Sequence, residues 1–265
     1  MCKILQTTQI FKLTSQSPDF AYTWVLFEKD GAPFKAKCLK RGSVDMDNLV
    51  DIQRIPLDSF CPTIRPECSI ATSPETSYAK TPNLIAFDGG NDLAKLVLQE
   101  LATCEIIRKR PHRNLADFHG CKVLNDRIVG LCFKRYATSL QDKLNPQSLN
   151  KSAFMLSQEH AQSRRQACRY LPQIEEGIKY LHQLDLIHND INPANIMLND
   201  NDTPIIIDFE SSRKPGMELG RAKRTYGWYD PGVNLAQESN DLDALAELRV
   251  WLSGISPHEY RFGQF

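Results

Sequence analysis

Between Ile187 and Glu210 the chain sets His188, Asp190, Asn195 and Asp208 among apolar neighbours. The first three fall on a loop broken by Pro193. Ile196-Met197-Leu198 reads as a short apolar strand, and Asn199 to Pro204 as a turn cluster. Ile205-Ile206-Ile207, β-branched throughout, reads as a second buried strand ending on Asp208. A hairpin with these ends brings Asp190, Asn195 and Asp208 to one rim. Two carboxylates and an amide oxygen are hard ligands, suited to Mg²⁺ held together with a substrate phosphate. One carboxylate can instead orient a hydroxyl nucleophile. The plainer reading is a solvated Asn/Asp-rich hairpin, because these residues are common in turns.

The elements around this rim can be read in turn. The chain has 265 residues, enough for one or two domains with a proper core. Lys+Arg and Asp+Glu are both 32, so bulk charge favours neither nucleic acid nor an anionic membrane as partner. No apolar run approaches a spanning helix, and the first residues lack a signal-peptide pattern. The eight cysteines include no Cys-x-x-Cys pair and read as free thiols in a reducing compartment, with zinc not expected. The expected location is cytoplasmic or nuclear.

Residues 22 to 40 read as a β-hairpin about Asp30-Gly31. Residues 55 to 77 are rich in Pro, Ser and Thr. Tyr78-Ala79-Lys80 reads as a strand. A helix capped near Asn91 or Asp92 follows, with Leu93, Val97, Leu101 and Cys104 as its apolar stripe and Glu100 on the inner flank. Residues 118 to 133 form two strands and a turn. Residues 166 to 186 suit a helix with Pro172 in its first turn or at a kink, and Asp241 to Leu252 another. His112 and His119 read as structural, with nothing nearby to complete a catalytic pair.

This set resembles the protein kinases. His188-Asn189-Asp190 through Asn195 is similar to the kinase catalytic loop, and Asp208-Phe209-Glu210 to the metal-binding triplet. The resemblance implies ATP and Mg²⁺ as cofactors. Asp190 then accepts or orients the substrate hydroxyl proton, while Asn195 and Asp208 hold Mg²⁺ on the phosphates. Lys80 pairs with the phosphates and is held by Glu100, with Glu105 the rival one turn on. Lys134, Arg135 and Tyr136 form the hinge where adenine meets backbone groups. The segment from Arg213-Lys214 through Arg221 and Lys223-Arg224 to Thr225–Gly232 is similar to an activation segment, and Asp241 to the buried anchor of the catalytic loop.

Four departures stand out: Asn189 replaces the usual Arg, Glu210 the Gly, Pro231-Gly232 the Pro-Glu, and no Gly-x-Gly-x-x-Gly is present. Together with Asn240-Asp241-Leu242-Asp243, the motifs resemble divergent kinase-like proteins abundant in filamentous fungi. The implied fold is α+β and two-lobed, with a small β-rich N-lobe and a truncated, mainly helical C-lobe. Residues 1–54 would be a β-rich extension or the start of the small lobe, 55–136 the N-lobe and hinge, and 137–265 the C-lobe. The implied activity is ATP-dependent phosphorylation of Ser/Thr hydroxyls on a protein substrate that the sequence does not name. The alternatives are a pseudokinase that binds without turnover and a small-molecule phosphotransferase of the aminoglycoside- or choline-kinase kind, whose metal strand Ile207–Glu210 echoes.

Overall fold

The structure, a computed structural model, describes residues 2–13, 18–90, 92–220 and 222–263. Asn91 and Arg221, named above as a helix cap and a basic residue, lie outside the described residues. The chain divides into two compact units. One comprises Met1–Glu67, Lys80–Leu98 and Lys122–Gly130; the other Cys68–Ala79, Gln99–Cys121 and Leu131–Phe265.

The first unit is built on an antiparallel sheet of strands β1 (Cys2–Leu13), β2 (Pro18–Lys29), β3 (Ala32–Cys38) and β4 (Leu49–Arg54), ordered as in the chain. Asp30 and Gly31 turn β2 into β3 with φ of 51° and 76°. A two-residue hairpin turn that matches strand twist needs both angles positive, and Asp-Gly supplies them cheaply. Val25 and Phe27 face Ala36 and Cys38 on one side of the sheet. Leu26, on the opposite face, packs with Ile55, Phe87 and Leu93. β2 is therefore covered on both faces in its second half, as its run Val25-Leu26-Phe27 anticipates. Lys35 is buried there. Its Nζ donates to the Phe87 carbonyl at 2.7 Å and lies 3.9 Å from the Trp24 ring centre, while burial lowers its pKa.

β5 (Tyr78–Lys80), β6 (Phe118–Leu124) and β7 (Arg127–Phe133) make a three-stranded sheet of order β5-β7-β6. Helix α1 (Asp92–Lys109) precedes β6 and is longer than its apolar stripe required.

The second unit is mainly helical. β8 (Thr138–Ser139) leads into α2 (Leu140–Leu144), capped by Ser139, and α3 (Lys151–Leu156) is capped by Asn150. α4 (Ala161–Ala167) passes through a 3₁₀ turn into α5 (Leu171–Gln183), whose first turn carries Pro172 where a missing N–H costs nothing. β9 (Ile196–Leu198) and β10 (Pro204–Ile206) form the expected antiparallel hairpin, with β8 on the outer side of β9. Ile174, Ile178 and Leu181 of α5 are fully buried. Gly177 lets α5 approach β10, because a Cβ there would lie 2.9 Å from Ile206 Cδ1. α6 (Glu238–Ser253) buries Leu245, Leu248 and Trp251, and Trp251 stacks on Phe154 at 4.4 Å. The eight cysteines are free thiols. Among the described residues no helix is long and apolar enough to cross a membrane.

Candidate functional site

The turn at the C-terminal end of α5 delivers Ile187, His188, Asn189 and Asp190 into the core. Asp241, at the start of α6, fixes this loop: it accepts from His188 N at 2.8 Å, Asn189 N at 2.7 Å and His182 Nε2 at 2.9 Å. A carboxylate with no solvent exposure is tolerable because these donors replace water. His188 bonds the Ile207 carbonyl through Nε2 at 2.9 Å and receives Asp190 N on Nδ1 at 3.2 Å. Nε2 faces an acceptor and Nδ1 a donor. His188 is therefore structural: it joins the loop to the end of β10.

Asn189 takes φ of 66°, a left-handed conformation that Asn accepts more readily than most residues. Its Nδ2 donates to the Ile187 and Ser211 carbonyls at 3.0 and 3.1 Å, and its Oδ1 accepts from Asn240 at 2.9 Å. No charge is needed at this position.

Asp190 is 7 % exposed. Its Oδ1 accepts from Thr225 N at 2.7 Å and Asn192 Nδ2 at 3.2 Å; its Oδ2 accepts from Asn195 Nδ2 at 3.0 Å. Burial raises its pKa, against the lowering by Thr225 and His188, and the nearby Asp208 charge adds to the rise. Asn192 caps the turn Pro193–Asn195 with its oxygen and spends its amide on Asp190 and on Thr225 Oγ1 at 3.0 Å. Neither Asn192 nor its contact with Thr225 stands out from residue type and spacing. Their only signal is Asn192 just before Pro193, a usual N-cap position.

Asn195 is held by its amide on Asp190, which leaves its side-chain oxygen as the atom suited to a cation. Asp208 follows β10 with φ of 65°. Such strain is retained where surrounding structure imposes it, commonly at functional sites. Glu100, Asp208 and Glu210 bring carboxylate oxygens within 4.8 Å of one another. Glu100 is 3 % exposed and accepts Phe209 N at 3.2 Å. Glu105 turns away: it receives Ser69 N at 2.7 Å, Ser69 Oγ at 3.1 Å and Arg108. Of the two glutamates weighed on this helix, the structure brings Glu100 to the acidic group. Glu210, a departure from the kinase triplet and the end of the Ile207–Glu210 metal-strand echo, belongs to that group as well.

Lys80 closes β5, half-buried, in the other compact unit. In the expected hinge, Lys134 N bonds the Asp117 carbonyl at 2.9 Å and Arg135 Nε the Thr76 carbonyl at 3.2 Å. Tyr136 OH receives Asp117 N at 3.1 Å. Lys134 and Tyr136 also line a cavity of about 580 Å³ beside Ile107, Ala116 and Phe118. His112 stacks on Tyr180 and His119 bonds Ser77.

A family model described as the protein kinase domain matches residues 91–248. The chain is similar to mitogen-activated protein kinase 5 of Oryza sativa subsp. indica, at 31% identity over 71% of this chain and 47% of that protein. It is similar to the sensor for unfolded proteins in the ER ire1 of Schizosaccharomyces pombe, at 27% identity over 49% of this chain and 13% of that one. A chain from the crystal structure of the yeast RNA Pol II CTD kinase CTDK-1 complex matches with a TM-score of 0.45 and 20% identity, covering 60% of this chain and 49% of that one. The chain spans less than half the length of these curated relatives.

Proposed function

Because the chain belongs to the protein kinase family, we propose that it transfers the terminal phosphoryl group of ATP to Ser/Thr hydroxyls of a protein substrate. The observation that carries this reading is the placement of Asp190. Its carboxylate is fixed by Thr225 N, Asn192 and Asn195. It is thereby ready to orient an incoming hydroxyl and take up its proton. The link to Thr225 makes the loop and the segment after Asp208 one unit around the acceptor.

The donor chemistry fits Mg²⁺: an amide oxygen on Asn195 and carboxylates on Asp208, Glu210 and Glu100 are the hard oxygen set this ion takes beside phosphate. Mg²⁺, when bound, neutralises phosphate charge. Asn195 and Asp208 are the residues to hold it. Lys80 is assigned to the phosphates, with Glu100 as the residue to hold it, and the backbone of Lys134, Arg135 and Tyr136 to adenine. Residues 55–136 are then the small lobe and hinge, 137–265 the large lobe, and 1–54 an extension or the start of the small lobe. The motif set supports a divergent branch of the kind found in fungi. A second reading, a nucleotide-binding module without turnover, is favoured by the missing Gly-x-Gly-x-x-Gly, whose backbone amides would cover the phosphates.

Transfer of labelled phosphate from ATP to generic protein substrates, with and without Mg²⁺, separates the two. Asp190→Ala is expected to lower turnover about 10²- to 10⁴-fold while ATP still shifts its melting temperature. Asp208→Asn is expected to abolish that Mg²⁺-dependent shift. Full turnover in Asp190→Ala removes the mechanism; no turnover in the unmodified chain, with nucleotide binding intact, selects the binding module.

A further inference from the structure

The cavity of about 580 Å³ that Lys134 and Tyr136 line lies wholly within the second compact unit. Ile107 of α1, Leu115, Phe118 of β6 and Ile205 of β10 give it an apolar wall, each of them at most 4 % exposed. Small-molecule sites have volumes of roughly 300–1,000 Å³, apolar walls and a few placed polar groups.

The polar groups here are one-sided. Tyr136 OH accepts from Asp117 N at 3.1 Å, so its own O–H is left to donate, and burial raises its pKa, which keeps that proton in place. Asn199 Oδ1 accepts from Asn201 N and Thr203 N, each at 3.0 Å. His112 Nδ1 faces Asn114 N at 3.2 Å. The side-chain acceptors of all three residues are thus occupied from within the chain. Among the described residues, Asn199 Nδ2 and Lys134 Nζ find no protein acceptor. The wall therefore offers donors, and a ligand that fits it brings acceptors.

Charge narrows the class further. Of the three cations at the wall, Arg108 is paired with Glu105. Arg113 donates only to the neutral Gln173, at 3.2 Å, and Lys134 has no carboxylate partner among the described residues. Asp117 is the one carboxylate among the described lining residues, and its oxygen lies 3.8 Å from His119 Nε2. Two unmatched cations less one carboxylate leave a single positive charge. One carboxylate on the ligand balances it through charge-assisted hydrogen bonds. A phosphate monoester, with about −1.5 to −2 charges at neutral pH, brings more than the wall matches.

We propose that this cavity binds a small carboxylic acid with an apolar body. The body lies against Ile107, Leu115, Phe118 and Ile205, and the carboxylate accepts from the donors that Lys134, Arg113, Tyr136 and Asn199 hold ready. Only side chains of Lys134 and Tyr136 are used, so the site stands whether or not their backbone meets adenine.

Isothermal titration with naphthoate, an aromatic monocarboxylate, is expected to show one saturable site with a Kd below about 1 mM. Naphthamide, the same body without the charge, is expected to bind at least about tenfold more weakly. Arg113 is exposed and its hydrogen bond to Gln173 lies at the surface. Arg113→Glu is therefore expected to weaken naphthoate at least about tenfold with the melting temperature unchanged. Asn199→Asp keeps the oxygen that receives Asn201 N and Thr203 N and replaces the free amide by a second oxygen, and it is expected to act in the same direction. Arg65→Glu, the same change of charge at an exposed position of the other unit, is expected to leave affinity as it was. Absence of saturable binding overturns the proposal. So does equal affinity for the amide, or a loss in Arg65→Glu as large as that in Arg113→Glu. Displacement of naphthoate by ATP places the probe in the nucleotide site and overturns it too. Binding of an acidic peptide where naphthoate fails assigns the wall to a protein partner instead.

Discussion

The segment that follows Asp208 is tied down at two places by opposite chemistry. Beside the loop that carries Asp190, apart from Thr225 N on the Asp190 carboxylate, the ties are neutral amides. Asn189 donates to the Ser211 carbonyl, Asn192 to Thr225 Oγ1, and Asn240 to Asn189 and the Leu235 carbonyl. Farther along, at Gly227 and Trp228, the tie is a buried ion pair. Lys151 Nζ bonds Glu247 and the Gly227 carbonyl, the latter at 2.6 Å, and lies against the rings of Trp228 and Tyr260. Glu247 in turn accepts Arg261 N and Phe262 N at 3.1 and 3.2 Å. Burial lowers the Lys151 pKa against the raising effect of Glu247, so desolvation is a real cost there. An amide is cheaper to bury and does not titrate. Those amide ties are ones that salt and pH barely touch, while the loop itself is anchored on the Asp241 carboxylate. The outer tie is strong while both partners stand and costly once one is lost.

Breaking the ion pair is the largest test of this contrast. Glu247→Ala is expected to cost about 3–5 kcal/mol in urea unfolding, because it strands a buried ammonium. Replacing both partners, Lys151→Met with Glu247→Leu, is expected to restore most of the loss. A double variant as weak as the single one ends the argument from desolvation.

On the amide side, Asn189→Ala removes three hydrogen bonds and puts a Cβ without a local polar group at positive φ. A loss of about 2 kcal/mol is expected. Asn189→Gly relieves the backbone and keeps the hydrogen-bond loss, so the difference between the two variants divides the effect. Identical stabilities for Asn189, Ala and Gly chains show the amide network to be incidental.

Glu105 sharpens the comparison with a tie that does titrate. Burial pushes its pKa up, but Ser69 N, Ser69 Oγ and Arg108 together bring it below the ordinary 4.5. A carboxyl with a depressed folded pKa contributes stability above its unfolded value, and that contribution drains away as pH falls through the folded one. Unfolding midpoints of the unmodified chain and Glu105→Gln are therefore expected to differ by about 1 kcal/mol at pH 7 and to converge in acid. A gap that widens on acidification contradicts the sign.

The smallest expected effect is none at all. With an uncharged Asn189 satisfied by carbonyls and by Asn240, the catalytic loop lacks the cation on which a phosphorylated activation segment would be drawn. Turnover of protein made in a kinase-free host is expected to be equal before and after phosphatase treatment. A large loss after treatment shows that phosphate does order the segment, by another route.

The sequence by itself determined what depends on near neighbours. The apolar triplets at Ile196–Leu198 and Ile205–Ile207 force a hairpin, and its spacing carries Asn195 and Asp208 to the end that Asp190 shares. The Asp30-Gly31 turn and the stripe from Leu93 to Cys104 are equally local, since turn angles and helical period are set within a few residues. Tertiary structure alone decided the rest. Lys151 and Glu247 meet from distant helices, and each reads in the chain as one more solvated charge. Glu100 and Glu105 sit on one helix and differ only in what is packed against each side of it. Asn192 looks like a cap until Thr225 folds down beside it. In each case the partner is chosen by packing between segments remote in sequence, where burial sets the cost of an unpaired charge or amide, and no local pattern records that cost.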